Sequence, residues 1–168
     1  NDNCHALGAS YNNSVKYAVK YADIVTQSYH PVKAITTGEG GSILTNNKDL
    51  DSKIKSYRSH GIEKNKLTMK KKGLWFYEMH RLGYNYRITD FQCALGISQL
   101  KKLNSFIKKR NTIAKKYNKA FSNNDKIKIP YVKNNVLHAF HLYPLQINFK
   151  KIKLNKKNFF KKMKKAGI

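Results

Sequence analysis

The chain is short of acidic residues, cysteine, proline and long apolar runs, and each shortage excludes something. Nine aspartates and glutamates stand against 34 lysines and arginines, a formal net charge of +25 over 168 residues. Cys4 and Cys93 are the two cysteines, far apart and without CxxC or Cys/His ligand spacing. That spacing argues against a zinc site, against any other metal centre, and against a disulfide framework, leaving a reduced cytoplasm as the expected compartment. No run of about 18 apolar residues is present, so no segment reads as a membrane-spanning helix. Asn1 to Ala6 carries neither the basic nor the apolar region of a signal peptide.

Arginine is the scarcest of the basic residues. Arg58, Arg81, Arg87 and Arg110 are the four in the chain. A basic balance ordinarily points to nucleic acid, but base readout and phosphate forks favour arginine. Here lysine spread among Asn, Ile, Tyr and Phe has the look of A/T-rich codon usage. No helix-turn-helix, RRM or zinc-finger pattern accompanies it, so a basic nucleic-acid-binding module stands as the alternative reading only. The length suits one core and is too short for two complete domains. No internal repeat is evident.

What is present is a lysine between a strand and a glycine turn. Ala22 to Gln27 reads as a short β-branched strand, Ser28 to Pro31 leaves it, and Lys33 follows at its exit. Pro31 fixes its own φ, while Gly38, Gly40 and Gly41 allow positive φ and close approach of backbone to a ligand. Val32, Ala34 and Ile35 would desolvate the Lys33 amine in part, which favours its nucleophilic form.

Further along, Ser42 to Thr45 reads as a strand. Asn47 caps a helix from about Lys48 to His60 that stops at Gly61. Tyr11 to Tyr21 reads as a loop with a short turn, and Glu63 to Gly73 as a mobile lysine-rich loop. Leu74 to Met79 sets Trp75, Phe76 and Tyr77 in a row, either for local packing or as a wall for rings. Thr89 and Gln92 form a capping box opening one long helix to about Phe121. Ile127 to Pro130 and Ala139 to Ile147 are strand candidates. Asn158 to Ala166 reads as an amphipathic helix with Phe159, Phe160 and Met163 inward.

The run Ser28-Tyr29-His30-Pro31-Val32-Lys33-Ala34-Ile35-Thr36-Thr37-Gly38-Glu39-Gly40-Gly41 resembles the cofactor-lysine segment of the DegT/StrS sugar aminotransferases. Asp2-Asn3-Cys4-His5-Ala6-Leu7-Gly8-Ala9, Arg58-Ser59-His60-Gly61, Gly83 to Asp90, and His141-Leu142-Tyr143-Pro144 resemble further segments of that family. Trp75 to Met79 is similar to the subgroup serving pseudaminic acid biosynthesis. The resemblance implies an α/β, aspartate-aminotransferase-like fold (PLP fold type I) and pyridoxal 5′-phosphate (PLP) as cofactor. It implies Lys33 as the catalytic lysine that carries PLP, Asp2 against the ring nitrogen, and His5 by the ring's phenolic oxygen. Ser28 would bind the cofactor phosphate, and Asn85 would reach the partner subunit's cofactor phosphate across a homodimer with composite sites. His30 and Arg87 are the implied substrate-binding residues.

By the same resemblance the reaction transfers an amino group from glutamate to a UDP-linked 4-keto-6-deoxy sugar. A dehydratase of the family would carry histidine in place of the lysine, and Lys33 speaks against it. Residues 1–121 would be the C-terminal part of the PLP-binding large domain with its connecting helix, and 122–168 the beginning of the small domain. The chain thus reads as an internal fragment, expected to be inactive and to bind PLP poorly by itself.

Overall fold

A computed structural model describes residues 1–63 and 66–168. In chain order the elements are β1 (Ser10–Tyr11), α1 (Tyr17–Tyr21), β2 (Val25–Ser28), β3 (Gly41–Leu44), α2 (Lys48–Arg58), β4 (Ile62–Glu63), α3 (Lys66–Lys72) and β5 (Glu78–Met79). They continue with α4 (Asp90–Leu100), α5 (Leu103–Phe121), β6 (Ile127–Lys128), β7 (Val136–Leu137), β8 (Gln146–Ile147) and α6 (Lys156–Lys165). The named strands of the described residues pair in twos, all antiparallel: β1 with β7, β2 with β3, β4 with β5, β6 with β8.

The pair β2–β3 positions the lysine turn. Val25 faces Leu44 and Ser28 faces Gly41, so the hairpin encloses residues 29–40. Along β2 the side chains alternate in the period of a strand: Val25 and Gln27 are buried, Thr26 and Ser28 half-buried. The N-terminal residues run parallel on the other side of β2 through an Asp2–Thr26 bridge, with Asn3 N–H to the Thr26 carbonyl and Thr26 N–H to the Asn1 carbonyl, each 3.0 Å.

A small apolar core joins distant parts of the chain. Ala9, Ile107 on α5 and Ala139 are buried together, with Ala6, Tyr17 and Leu103 packed against them. Burying a side chain the size of Ile107 contributes on the order of 2 kcal/mol. Val25 and Ile35 are the fully buried side chains that anchor the β2–β3 region. α4 packs over the lysine turn as well. Its Gln92 Nε2 donates to the Glu39 carbonyl at 2.8 Å, and a Cβ on Gly96 would lie 2.9 Å from the Thr37 methyl.

Several sequence expectations are corrected. β2 begins at Val25 rather than Ala22, and Tyr17–Tyr21 is a short helix. Lys66–Lys72 is helical where a loop was expected, with Lys64 and Asn65 outside the described residues. Lysine has good helix propensity, so a run without apolar periodicity is still able to coil.

The long helix is two. α4 ends in a turn in which Lys102 N–H reaches the Gln99 carbonyl at 2.9 Å, and α5 starts at Leu103. Lysines at 101 and 102 fit a helix or a turn equally, which is why the spacing of apolar residues missed the break.

The expected strand Ala139 to Ile147 pairs only at Gln146–Ile147. Before that, Phe140 takes a left-handed φ of 45°. Arg110 Nη1 donates to the carbonyls of Phe140 (3.0 Å) and His141 (3.3 Å), and Asn111 Nδ2 to that of His138 (3.0 Å). Side chains of α5 thus take carbonyls that a neighbouring strand would otherwise use. α6 starts at Lys156 under an Asn155 cap, which turns Phe159 towards Phe149 and leaves Phe160 60% exposed rather than inward. The Asn47 cap of α2 and the Thr89/Gln92 capping box of α4 are both formed.

Candidate active site

Lys33 sits in an irregular turn, half-buried, between the ends of β2 and β3. The turn holds itself. Tyr29 N–H donates to the Gly40 carbonyl (2.8 Å), Thr37 N–H to the Tyr29 carbonyl (3.0 Å) and Lys33 N–H to the His30 carbonyl (2.9 Å). Thr36 Oγ1 adds a bond to the Tyr29 carbonyl at 3.1 Å, accepting in turn from Gly38 N–H at 2.9 Å. Gly38 takes a φ of 81°, which only glycine adopts at little cost.

Asp2 and His5 come to the same place from the N-terminal turn beside β2. The Asp2 carboxyl is held below the usual carboxylate range first by hydrogen bonds from the Cys4 thiol and backbone N–H, the latter 3.0 Å, with the charges of His5 and Lys33 adding to them. It is therefore ionised at neutral pH, and exposed. In return Asp2, first, and burial, second, push the Cys4 thiol up, so it stays a neutral donor.

His141, which the sequence placed only on a strand, completes the cluster. Its ring lies 4.2 Å from that of His5, tilted by 48°. Burial pushes its pKa below the ordinary histidine value, and the charges of His5, Lys33 and Arg110 push it further. Its Nδ1 is buried and has no hydrogen-bond partner among the described residues. A left-handed non-glycine residue before it and an arginine clamp on its carbonyl fix the position. Neither Cys4 nor His141 was found from the sequence. Cys4's place between Asp2 and His5 was the available signal for the first; for the second it was the His141-Leu142-Tyr143-Pro144 segment, in which the backbone strain leaves no mark.

The remaining expected residues fall in two groups. Ser28 is half-buried at the end of β2, its Oγ accepting from His30 N–H at 3.4 Å. His30 is exposed, its Nε2 3.8 Å from Glu39 Oε1. Both adjoin the Lys33 turn. Asn85 and Arg87 do not: they are exposed on the strap that follows β5, where Asn85 bridges Ser59 at the end of α2. Trp75 is 74% exposed and touches Phe76 edge-on at 5.8 Å, so it packs into no core of the described residues.

The Lys33 turn thus gathers an ionised carboxylate, a half-buried amine, a hydroxyl and two imidazoles tilted against each other, one with an unmet nitrogen. The family model described as the DegT/DnrJ/EryC1/StrS aminotransferase family matches residues 1–168. The chain belongs to that family. Among relatives, it is 44% identical over 167 residues to the UDP-4-amino-4,6-dideoxy-N-acetyl-beta-L-altrosamine transaminase of Campylobacter jejuni, covering 99% of this chain and 42% of that protein. Among solved structures, Helicobacter pylori PseC, an aminotransferase of pseudoaminic acid biosynthesis, superposes with a TM-score of 0.84 at 34% identity, over 99% of this chain and 42% of that one. The Streptococcus pneumoniae protein Spr1654 in its PMP form matches at TM-score 0.76 and 27% identity, over 87% of this chain and 38% of that one. The fold is thus part of the α/β, aspartate-aminotransferase-like architecture of these sugar aminotransferases. The chain spans about 42% of the length of the Campylobacter jejuni and Helicobacter pylori proteins. Among the described residues no helix is long and apolar enough to cross a membrane, and no group of three or more metal-ligating side chains occurs.

Proposed function

We propose that the protein to which this chain belongs is a PLP-dependent aminotransferase that moves an amino group from glutamate to a UDP-linked 4-keto-6-deoxy sugar, as in pseudaminic acid biosynthesis. The observation that carries this is the convergence of Lys33, Asp2, His5 and His141 at one turn of a family member. When bound, PLP supplies an aldehyde for a lysine amine and an electron-withdrawing ring that makes the amino donor's Cα proton acidic.

Lys33 Nζ binds the cofactor and, once released, moves the proton at the donor's Cα. The Asp2 carboxylate holds the proton on the ring nitrogen, a task for which its lowered pKa suits it. His5 would hold the ring's phenolic oxygen, and His141 Nδ1, which lacks a partner among the described residues, would meet a polar group of the bound molecules. Ser28 Oγ binds the cofactor phosphate. His30 and Arg87 hold the substrate, Arg87 through its planar fork.

Asn85 serves the cofactor phosphate of a second copy, so the working form is a cytoplasmic homodimer. Residues 1–121 belong to the large domain with its connecting helices, and residues 122–168 open the small one. The test is purified full-length protein with PLP. A visible absorbance band of bound cofactor that bleaches with glutamate supports the proposal. A protein that binds no PLP, or a Lys33→Ala variant whose band and turnover match the wild type, would refute it.

A further inference from the structure

The basic charge of the chain is not spread evenly. Residues 1–90 hold eight acids against fourteen lysines and arginines, whereas residues 91–168 hold one acid, Asp125, against twenty. Codon usage acts on both parts alike and gives no reason for acids to vanish from one of them, so the asymmetry asks for a partner. It is densest at α6. The run from Lys150 to Lys165 carries nine lysines with neither an acid nor an arginine.

This charge is placed against the helix's own stability. Lys156 and Lys157 stand in the first turn of α6, at the positive end of its dipole, with no acid there to offset them. Lys157, Lys161 and Lys165 follow one another at a spacing of four, which sets like charges side by side. Lys151 pairs with Asp125 at 2.9 Å. Among the described residues no other lysine of the run makes an ion pair. A cluster that repels itself is relieved by an anionic surface.

An exposed ring stands in the middle of this cluster. Phe159 turns edge-on to Phe149 at 5.8 Å, and Met163, one helical turn on, is half-buried on the same side. Phe160 is 60% exposed. Lys156, Lys157 and Lys164 lie three or four residues from it and share its face, the Lys156 Nζ 6.0 Å from the ring centre. Lys161 borders that face, and all four lysines are exposed.

An aromatic ring flanked by lysines on a helix suits a lipid bilayer. The ring enters the boundary between headgroups and acyl chains, while the lysine stems lie along it and their ammonium groups reach the phosphates. Single-stranded nucleic acid asks instead for a groove along its backbone and for successive stacking rings. A helix face is convex, and this one offers a single ring without an arginine fork.

We propose that this face of α6, Phe160 with Lys156, Lys157, Lys161 and Lys164, rests on the surface of an anionic phospholipid bilayer. The assignment does not depend on the proposed reaction.

The experiment sediments full-length protein with vesicles of phosphatidylcholine alone and of phosphatidylcholine with about 30% phosphatidylglycerol. Binding to the anionic vesicles alone, lost at about 0.5 M salt, is expected. Lys156→Gln, Lys157→Gln, Lys161→Gln and Lys164→Gln combined should weaken it about a hundredfold or more, and Phe160→Ser about fivefold. Lys16→Gln, Lys20→Gln, Lys48→Gln and Lys53→Gln combined remove the same charge from other exposed positions and should leave most of the binding. Equal loss in the two combined variants would overturn the α6 site, since net charge alone would then account for the binding. No binding of the wild type to anionic vesicles, or a single-stranded oligonucleotide that displaces the vesicles from the α6 face, would overturn the lipid assignment. A protein that binds the vesicles through α6 yet takes up no PLP would keep this inference and refute the proposed reaction.

Discussion

The Lys33 turn and the strap through Gly83 are both glycine-bearing loops that carry candidate site residues, and they are held in opposite ways. In the first the chain bonds to itself: Tyr29, Thr36, Thr37, Gly38 and Gly40 exchange hydrogen bonds within a dozen residues. In the second the bonds run to another element, from Tyr84 and Tyr86 to the last turn of α2. A self-bonded turn keeps its shape with its own sequence, so the place of its lysine is written in one motif. A turn bonded elsewhere takes its shape from two segments more than twenty residues apart, and its chemistry belongs to neither alone.

The sharpest way to break this comparison is Lys33→Ala. In the full-length protein turnover should fall on the order of a thousandfold, as expected for losing a group that moves protons, while the melting temperature stays close to that of the wild type. A large loss of stability instead would show the lysine to be structural.

Gly83→Ala probes the other loop. The added Cβ meets backbone rather than a movable side chain, 2.1 Å from the Gly61 nitrogen, so the substitution should cost about 3 kcal/mol in urea unfolding. Gly38→Ala meets nothing within 4 Å but requires a φ of 81°; its cost should be about 1 kcal/mol, from conformation alone. If the two costs came out equal, the contrast between a sterically closed strap and an open turn would fail.

The smallest effect is on pH dependence. Burial and the charges of His5, Lys33 and Arg110 lower the His141 pKa in the folded state, so the folded protein binds fewer protons there than the unfolded chain. Stability from this source is present above the unfolded histidine value of about 6.5 and is lost as pH falls through it. NMR titration should place the His141 imidazole below free histidine, and His141→Gln should flatten the fall of the urea midpoint between about pH 7 and pH 5. An imidazole titrating above the free value would contradict the placement of those cations around it.

What the sequence made legible follows the same division. The strand pair flanking Lys33, the Asn47 cap and the Thr89/Gln92 box are local, and their residues announce them. The break at Lys101–Lys102 was not legible because lysine suits helix and turn alike. The irregular path through Phe140 was not legible either, because the carbonyls of that stretch are met by Arg110 and Asn111 on a helix far behind it in the chain. For that reason His141 entered the site only with the structure. The part of Cys4 was not legible for a related cause: nothing in the motif says that its thiol and N–H would bond the Asp2 carboxyl two residues away.

The most direct test of the Lys33 assignment is chemical. Full-length protein incubated with PLP, reduced with borohydride and digested should yield one peptide carrying the phosphopyridoxyl mass, with the label on Lys33. A label on a different lysine of this lysine-rich chain, or none on any, would contradict the account.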